Sequence, residues 1–134
     1  RGKPVWVFKR TEEQLAVLPS LDSQMVDPNS DNLDQTPLFA KREARTIKGK
    51  ENIAVIVGIC THLGCSPSFV PEVVPQAYDS EWKGGFYCPC HQSRFDLAGR
   101  VFKGVPAPSN LEIPPYHFAD DNTIIIGVAP EGAA

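Results

Sequence analysis

Apolar residues in this chain fall in short runs separated by polar and proline-bearing stretches, with no long periodic segment. Val5-Trp6-Val7-Phe8, set after Pro4 and ended by Lys9-Arg10, predicts a strand. Thr11-Glu12-Glu13-Gln14 has the Thr-x-x-Gln pattern of a capping box. With Leu15 to Leu18 behind it, the stretch predicts one short helix ending at Pro19. Residues 20–38, rich in Asp, Asn, Ser and Pro, read as a long loop of solvated acids that Leu33, Leu38 and Phe39 would tack down. Asn52 to Ile59 is almost continuously apolar, as a strand buried on both faces would be, and it leads directly into Cys60.

Residues 66–85 hold Pro67, Pro71, Pro75 and the pair Gly84-Gly85, and read as a loop insertion. Gly85-Phe86-Tyr87 predicts a short strand. Arg94-Phe95-Asp96 and Arg100-Val101-Phe102, around a turn at Leu97-Ala98-Gly99, predict a hairpin. Gly104-Val105-Pro106-Ala107-Pro108 is a stiff loop, because proline fixes φ at two positions. Tyr116 to Ala119 and Thr123 to Val128, joined by Asp120-Asp121-Asn122, predict a last strand pair. The sum is an all-β domain of short antiparallel strands with one small helix.

Composition narrows the function classes. At 134 residues the chain is one domain with room for a hydrophobic core. A net charge of −3 lacks the basic footprint of a nucleic-acid binder. No run reaches the roughly 18 apolar residues of a membrane span. The chain opens at Arg1 with no signal peptide in view, and is read as a fragment or processed product. His117, between Tyr116 and Phe118, reads as an ordinary strand residue, and Trp6 and Trp82 as packing residues.

The chemistry is concentrated elsewhere. All 4 cysteines and two of the 3 histidines fall in CTHLGC (60–65) and CPCHQS (88–93). Two plain disulfides would use the cysteines and leave His62 and His91 without a role. Structural zinc needs four tetrahedral ligands and meets six candidates at tighter spacing than a finger knuckle. A third account lets thiolates hold one iron of a 2Fe–2S cluster and imidazoles the other.

CTHLGC, CPCHQS, the following GVPAP and NLEIPPY together resemble the Rieske iron–sulfur proteins, and RGKPVWVFKRT resembles the head just after the membrane anchor of bacterial members. The resemblance implies an antiparallel β-sandwich: a base fold of about 1–57 and 106–134, with a cluster-binding subdomain of about 58–105. It implies one 2Fe–2S cluster held by Cys60, His62, Cys88 and His91, and a disulfide between Cys65 and Cys90. Ser93 stands where the family's serine donates a hydrogen bond to a bridging sulfide. Phe95 stands where high-potential members often have a tyrosine, and Gln92 where glycine is common. Leu63, Gly64, Gly104, Pro106 and Pro108 would form the apolar tip that docks on a partner.

Two ferric ions, two sulfides and two thiolates sum to zero charge, against −2 with four thiolates, so an electron is added more easily. Rieske centres accordingly span roughly −150 to +300 mV, against about −400 mV for plant-type ferredoxins. The resemblance further implies a role in quinol–cytochrome c reductase, on the periplasmic face of a bacterial inner membrane. One electron would come from quinol, with a proton taken up at His91 or His62, and would pass to a c-type cytochrome. Cytochrome b, that cytochrome and an N-terminal membrane anchor are the implied partners. The small subunit of arsenite oxidase and the low-potential ferredoxins of oxygenases remain alternatives within the family. Structural zinc and a disulfide-stapled binding domain remain outside it.

Overall fold

The computed structural model describes residues 4–41, 43–61, 64–90 and 92–130. Its strands are β1 (Val5–Lys9), β2 (Ile53–Val57), β3 (Ser68–Val70), β4 (Gly85–Cys88), β5 (Ser93–Phe95), β6 (Tyr116–Asp120) and β7 (Thr123–Ile126). All pair antiparallel, β1 with β2, β3 with β4 with β5, and β6 with β7. β2 is buried along Ala54 to Val57, as its unbroken apolar run requires. One core joins the three sheets, with Val55 and Ile56 from β2, Phe86 from β4, Phe95 from β5 and Tyr116 from β6.

Helix α1 (Glu12–Ala16) forms with both halves of the capping box in place. The Gln14 N–H donates to Thr11 Oγ1 at 3.1 Å, and the Thr11 N–H donates to Gln14 Oε1 at 2.8 Å. The helix stops at Ala16, short of Pro19. Pro19 instead opens a 3₁₀ helix over Pro19–Gln24, where its fixed φ suits the first position.

The loop after it is held down only in part by the residues expected: Phe39 packs on the main core and meets the Tyr116 ring at 5.5 Å. Leu33 and Leu38 are 50% and 51% exposed. Leu21 and Met25 anchor the segment instead, in a small second core with Trp82 and Phe102. Not all of its acids are solvated. Asp27 accepts the N–H groups of Asp31 and Asn32, and Asp22 pairs with Arg100 at 2.7 Å. A long loop carries backbone groups that need partners, and these carboxylates supply some of them.

Residues 66–85 are more than a loop. Ser68–Val70 forms β3, in register with Gly85 to Tyr87. Phe69 from this strand lies against Phe8, Phe86 and Trp6, at ring centroid distances of 4.7, 5.4 and 5.9 Å. An aromatic cluster therefore ties the β3–β4–β5 sheet to β1. Trp82 is 1% exposed, and its indole N–H donates to the Val70 carbonyl at 3.1 Å. Gly85, at φ 149°, permits the close crossing of β4 over β5. A Cβ there would collide with the Phe95 carbonyl oxygen and the Asp96 Cα.

The turn after β5 is gripped by three buried arginines. Arg10 donates to the Leu97 carbonyl at 3.0 Å and Arg45 to the Ala98 carbonyl at 2.9 Å. Arg100 Nε donates to Asp96 Oδ2 at 2.7 Å. The other Asp96 oxygen accepts the N–H groups of Ala98 and Arg100, each at 2.9 Å. Burial pulls the Arg45 guanidinium down to about 9 and Arg10 to about 10, and the Asp96 carboxylate opposes the fall in both. Such a network stands only because nearly every donor finds an oxygen.

Candidate metal centre

Each cysteine box is a tight turn closed on its own first cysteine. The Gly64 N–H donates to the Cys60 carbonyl at 3.0 Å, and the Gln92 N–H donates to the Cys88 carbonyl at 2.8 Å. In both boxes the bond spans four residues. The first turn is closed a second time, since the Cys60 N–H donates to the Cys65 carbonyl at 2.7 Å. Gly64 supplies φ 83° to the first turn; Gln92 supplies φ 65° to the second, a conformation costly for a residue with a Cβ.

Cys65 and Cys90 are joined by a disulfide, with Cα atoms 6.6 Å apart. Cys60 and Cys88, each 2% exposed, are not disulfide-bonded and sit in the main core. The sulfurs of Cys65, Cys88 and Cys90 lie within 4.8 Å of one another. Because two of these three are spent on the bridge, only Cys88 among them retains a thiolate to offer a metal. His62, Leu63 and His91 lie outside the described residues.

The proline loop is fastened to both boxes. The Ala107 N–H donates to the Ser93 hydroxyl at 3.0 Å, and the Thr61 hydroxyl donates to the Ser109 carbonyl at 2.6 Å. Ser93 and Ala107 are buried, whereas Gly64, Gly104, Pro106 and Pro108 are exposed. The expected tip residues that are described thus lie on the surface. Phe95 is fully buried, paired with Phe86 across the ladder and bridged to Val101. Sequence reasoning did not single out Thr61 as a strut; its place between Cys60 and His62 was the only hint. His117 Nδ1 lies 2.9 Å from the Val128 carbonyl, so it donates there and serves the last hairpin.

Short antiparallel sheets presenting two disulfide-linked cysteine turns beneath a proline loop define a redox-centre domain of all-β class. The chain belongs to the Rieske family: its residues 7–116 match the Rieske [2Fe-2S] domain. It is 56% identical over 127 residues to the ubiquinol-cytochrome c reductase iron-sulfur subunit of Allochromatium vinosum, covering 95% of this chain and 60% of that one. The subunit of the same description from Bradyrhizobium diazoefficiens is 40% identical over 128 residues, covering 95% of this chain and 61% of that one. The mitochondrial cytochrome b-c1 complex subunit Rieske-1 of Nicotiana tabacum is 41% identical over 128 residues, covering 95% and 41%. The chain therefore spans less than two thirds of the length of these relatives.

A 2Fe–2S cluster is the cofactor of this domain, and the residues present fit it. Cys60 and Cys88 are buried and outside the disulfide, as thiolate ligands need to be, although the close group of sulfurs at Cys65, Cys88 and Cys90 does not include Cys60. Ser93, fully buried, accepts from Ala107 and still has its single proton to donate, with no acceptor found for it among the described residues. That proton matches the need of a sulfide for a donor.

Proposed function

We propose that the chain is the cluster-bearing head of the iron–sulfur subunit of a quinol–cytochrome c reductase. It takes electrons one at a time from quinol at cytochrome b and hands them to a c-type cytochrome. The observation that carries this reading is the Cys65–Cys90 disulfide beside the buried Cys88. Low-potential Rieske ferredoxins usually keep only the four ligands. A disulfide persists on the oxidising side of a membrane, which supports a periplasmic head anchored by an N-terminal segment.

In this reading Cys60, His62, Cys88 and His91 hold the cluster, within a unit of about residues 58–105. When bound, the cluster supplies reversible one-electron transfer. Cys60 and Cys88 hold their thiolates in the apolar core, which excludes water from the sulfur side of the site. Ser93 accepts from Ala107, which would leave its hydroxyl proton to donate to a sulfide of a bound cluster and so would favour the reduced state. With a cluster bound, His91 would keep one ring nitrogen to hold the proton that leaves quinol with the electron. Gly64, Gly104, Pro106 and Pro108, with Leu63, form the tip that meets cytochrome b. No helix among the described residues is long and apolar enough to cross a membrane.

Electron paramagnetic resonance of the purified protein, reduced by ascorbate and separately by dithionite, tests the reading. A Rieske-type signal with ascorbate supports it. A signal with dithionite alone would sink it in favour of a low-potential ferredoxin.

A further inference from the structure

The outer face of the β4–β5 ladder carries a second feature beside the centre. Tyr87 and Arg94 are cross-strand partners there. Tyr78, from the 66–85 segment, stacks on Tyr87 with centroids 3.9 Å apart and planes 9° from parallel. Together with Gln92, Gly104, Val105 and Pro106 these residues line a cavity of about 240 Å³. It lies between the second cysteine box and the proline loop.

Among the described residues the lining offers donors and no carboxylate. Among the described residues Arg94 has one ionic partner, Asp79, through Nη1 at 3.4 Å, which is long for a charge-assisted bond. Its Nε and Nη2 have no acceptor among the described residues, and its side chain is 27% exposed. The guanidinium is held in place by the Phe102 ring, 5.6 Å away. The Tyr78 hydroxyl is buried and has no hydrogen-bond partner among the described residues. Burial raises its pKa, and the neighbouring Tyr87, Asp79 and Glu72 raise it further, so it stays a neutral hydroxyl. Gln92 adds a carboxamide at the exposed rim. The spare donors of the half-buried arginine favour an acceptor in the cavity, whereas the Tyr78 hydroxyl is closed off from solvent and its ring forms the wall.

We propose that this cavity is a carboxylate pocket that receives one acidic side chain of the electron-accepting partner. It rests on the function proposed above: Gly104 and Pro106 line the pocket and belong to the tip that meets cytochrome b, and the head, once reduced there, presents the same cluster-bearing end to the electron acceptor. The volume accommodates a single Glu or Asp side chain, and the planar guanidinium suits a carboxylate. Asp79 acts as the pocket's own competitor: it loosely neutralises Arg94 until a better-placed carboxylate arrives. That arrangement makes docking specific for an acid while keeping it reversible.

The test uses the intact membrane complex assembled with variant subunits, and reads electron transfer from the reduced cluster to the c-type haem against ionic strength. Midpoint potentials are measured alongside, so that rates are compared at equal driving force. Arg94→Gln is expected to slow transfer about fivefold at low salt and to flatten the salt dependence. Asp79→Asn should speed it about twofold by freeing Arg94. The opposite signs at Arg94 and Asp79 are the signature, because loss of a structural ion pair alone would move both the same way. Equal signs, or rates explained entirely by potential, overturn the proposal.

A second arm titrates the chain itself with propionate, as a stand-in for a glutamate side chain, following the near-ultraviolet circular dichroism of the tyrosine pair. Wild type should respond, Asp79→Asn more strongly, and Arg94→Gln not at all. No response in wild type overturns the pocket. Failure of the broader function would appear separately, as a wild-type cluster that quinol does not reduce, and the propionate arm would then decide the pocket.

Discussion

The Ser93 hydroxyl accepts the Ala107 N–H at 3.0 Å, and through that bond the second cysteine box and the proline loop hold each other in place. Both partners are buried, so the bond is shielded from competition by water. Ser93→Ala leaves the Ala107 N–H unsatisfied, and is expected to cost about 1–3 kcal/mol of stability. In the proposed reading the same change also removes a donor to the cluster. One hydrogen bond of about 1–1.5 kcal/mol corresponds to about 40–60 mV for one electron, so the midpoint potential should fall by that amount. Thermal unfolding and potentiometric titration of one sample check both, and an unchanged potential would refute the donor role.

Phe95→Tyr is expected to act in the opposite direction on the potential. Phe95 is fully buried on β5, and a hydroxyl there has to find an acceptor. Where it reaches a ligand sulfur, the potential rises by about 40–60 mV, again one bond's worth. Without the cluster the same hydroxyl is an orphan, so the apoprotein should lose about 1–3 kcal/mol. A potential that does not rise would show that the ring edge faces away from the centre.

Gln92 closes the second box at φ 65°. A left-handed conformation costs a residue with a Cβ about 1–2 kcal/mol, part of which glycine returns as chain entropy. Gln92→Gly should therefore stabilise the protein by about 0.5–1 kcal/mol, seen as a higher unfolding midpoint in urea. A lower midpoint would mean that the Gln92 side chain contributes more than its backbone strain removes.

Replacing both Cys65 and Cys90 by serine removes a cross-link between residues 25 apart in sequence. The chain-entropy estimate for a loop of this size is about 3.5 kcal/mol. Unfolding of the double variant in denaturant should show a loss of that order. A loss under about 1 kcal/mol would mean the two boxes are held together by the proline loop and the core instead.

The Asp96–Arg100 pair is wholly buried, with Nε and Oδ2 at 2.7 Å. Asp96→Ala takes the acceptor from buried Arg100 Nε and from the N–H groups of Ala98 and Arg100. It also removes the carboxylate that offsets the charges of Arg10 and Arg45, and should cost about 3–5 kcal/mol. Asp22, also on Arg100, is 44% exposed and contributes far less. Partial burial raises its carboxyl, but the hydrogen bonds to Arg100 and Glu43 outweigh that and hold it below its ordinary value. A depressed carboxyl stabilises the fold above its ordinary value and loses that contribution as pH falls through the folded value. Glu43 runs the other way: burial and Asp22 raise it, so its ionisation opposes folding as pH rises. Urea unfolding of wild type and Asp22→Asn should therefore differ near neutral pH and converge in acid; a gap that widens in acid would refute the assignment.

Much of this protein was decided by its sequence alone. The capping box at Thr11 forms because its donors and acceptors lie within four residues. β2 is buried because its run is apolar on both faces. The two cysteine boxes and the proline loop carry the family identity, since metal ligation depends on residue type at close spacing. Interactions between distant residues were decided only by the tertiary structure. Leu33 and Leu38 are as apolar as Leu21, yet only Leu21 meets Trp82 and Phe102, some 60 to 80 positions away. Residues 66–85, with their prolines, gave no sign that Ser68–Val70 would find the free edge of β4. Nor did local pattern show that Arg10, Arg45 and Arg100 would converge on one turn, or that Tyr78 would stack on Tyr87 and leave Arg94 with donors to spare. Spacing along a chain determines local turns and ligand chemistry, whereas burial and pairing depend on which distant surfaces the fold presses together.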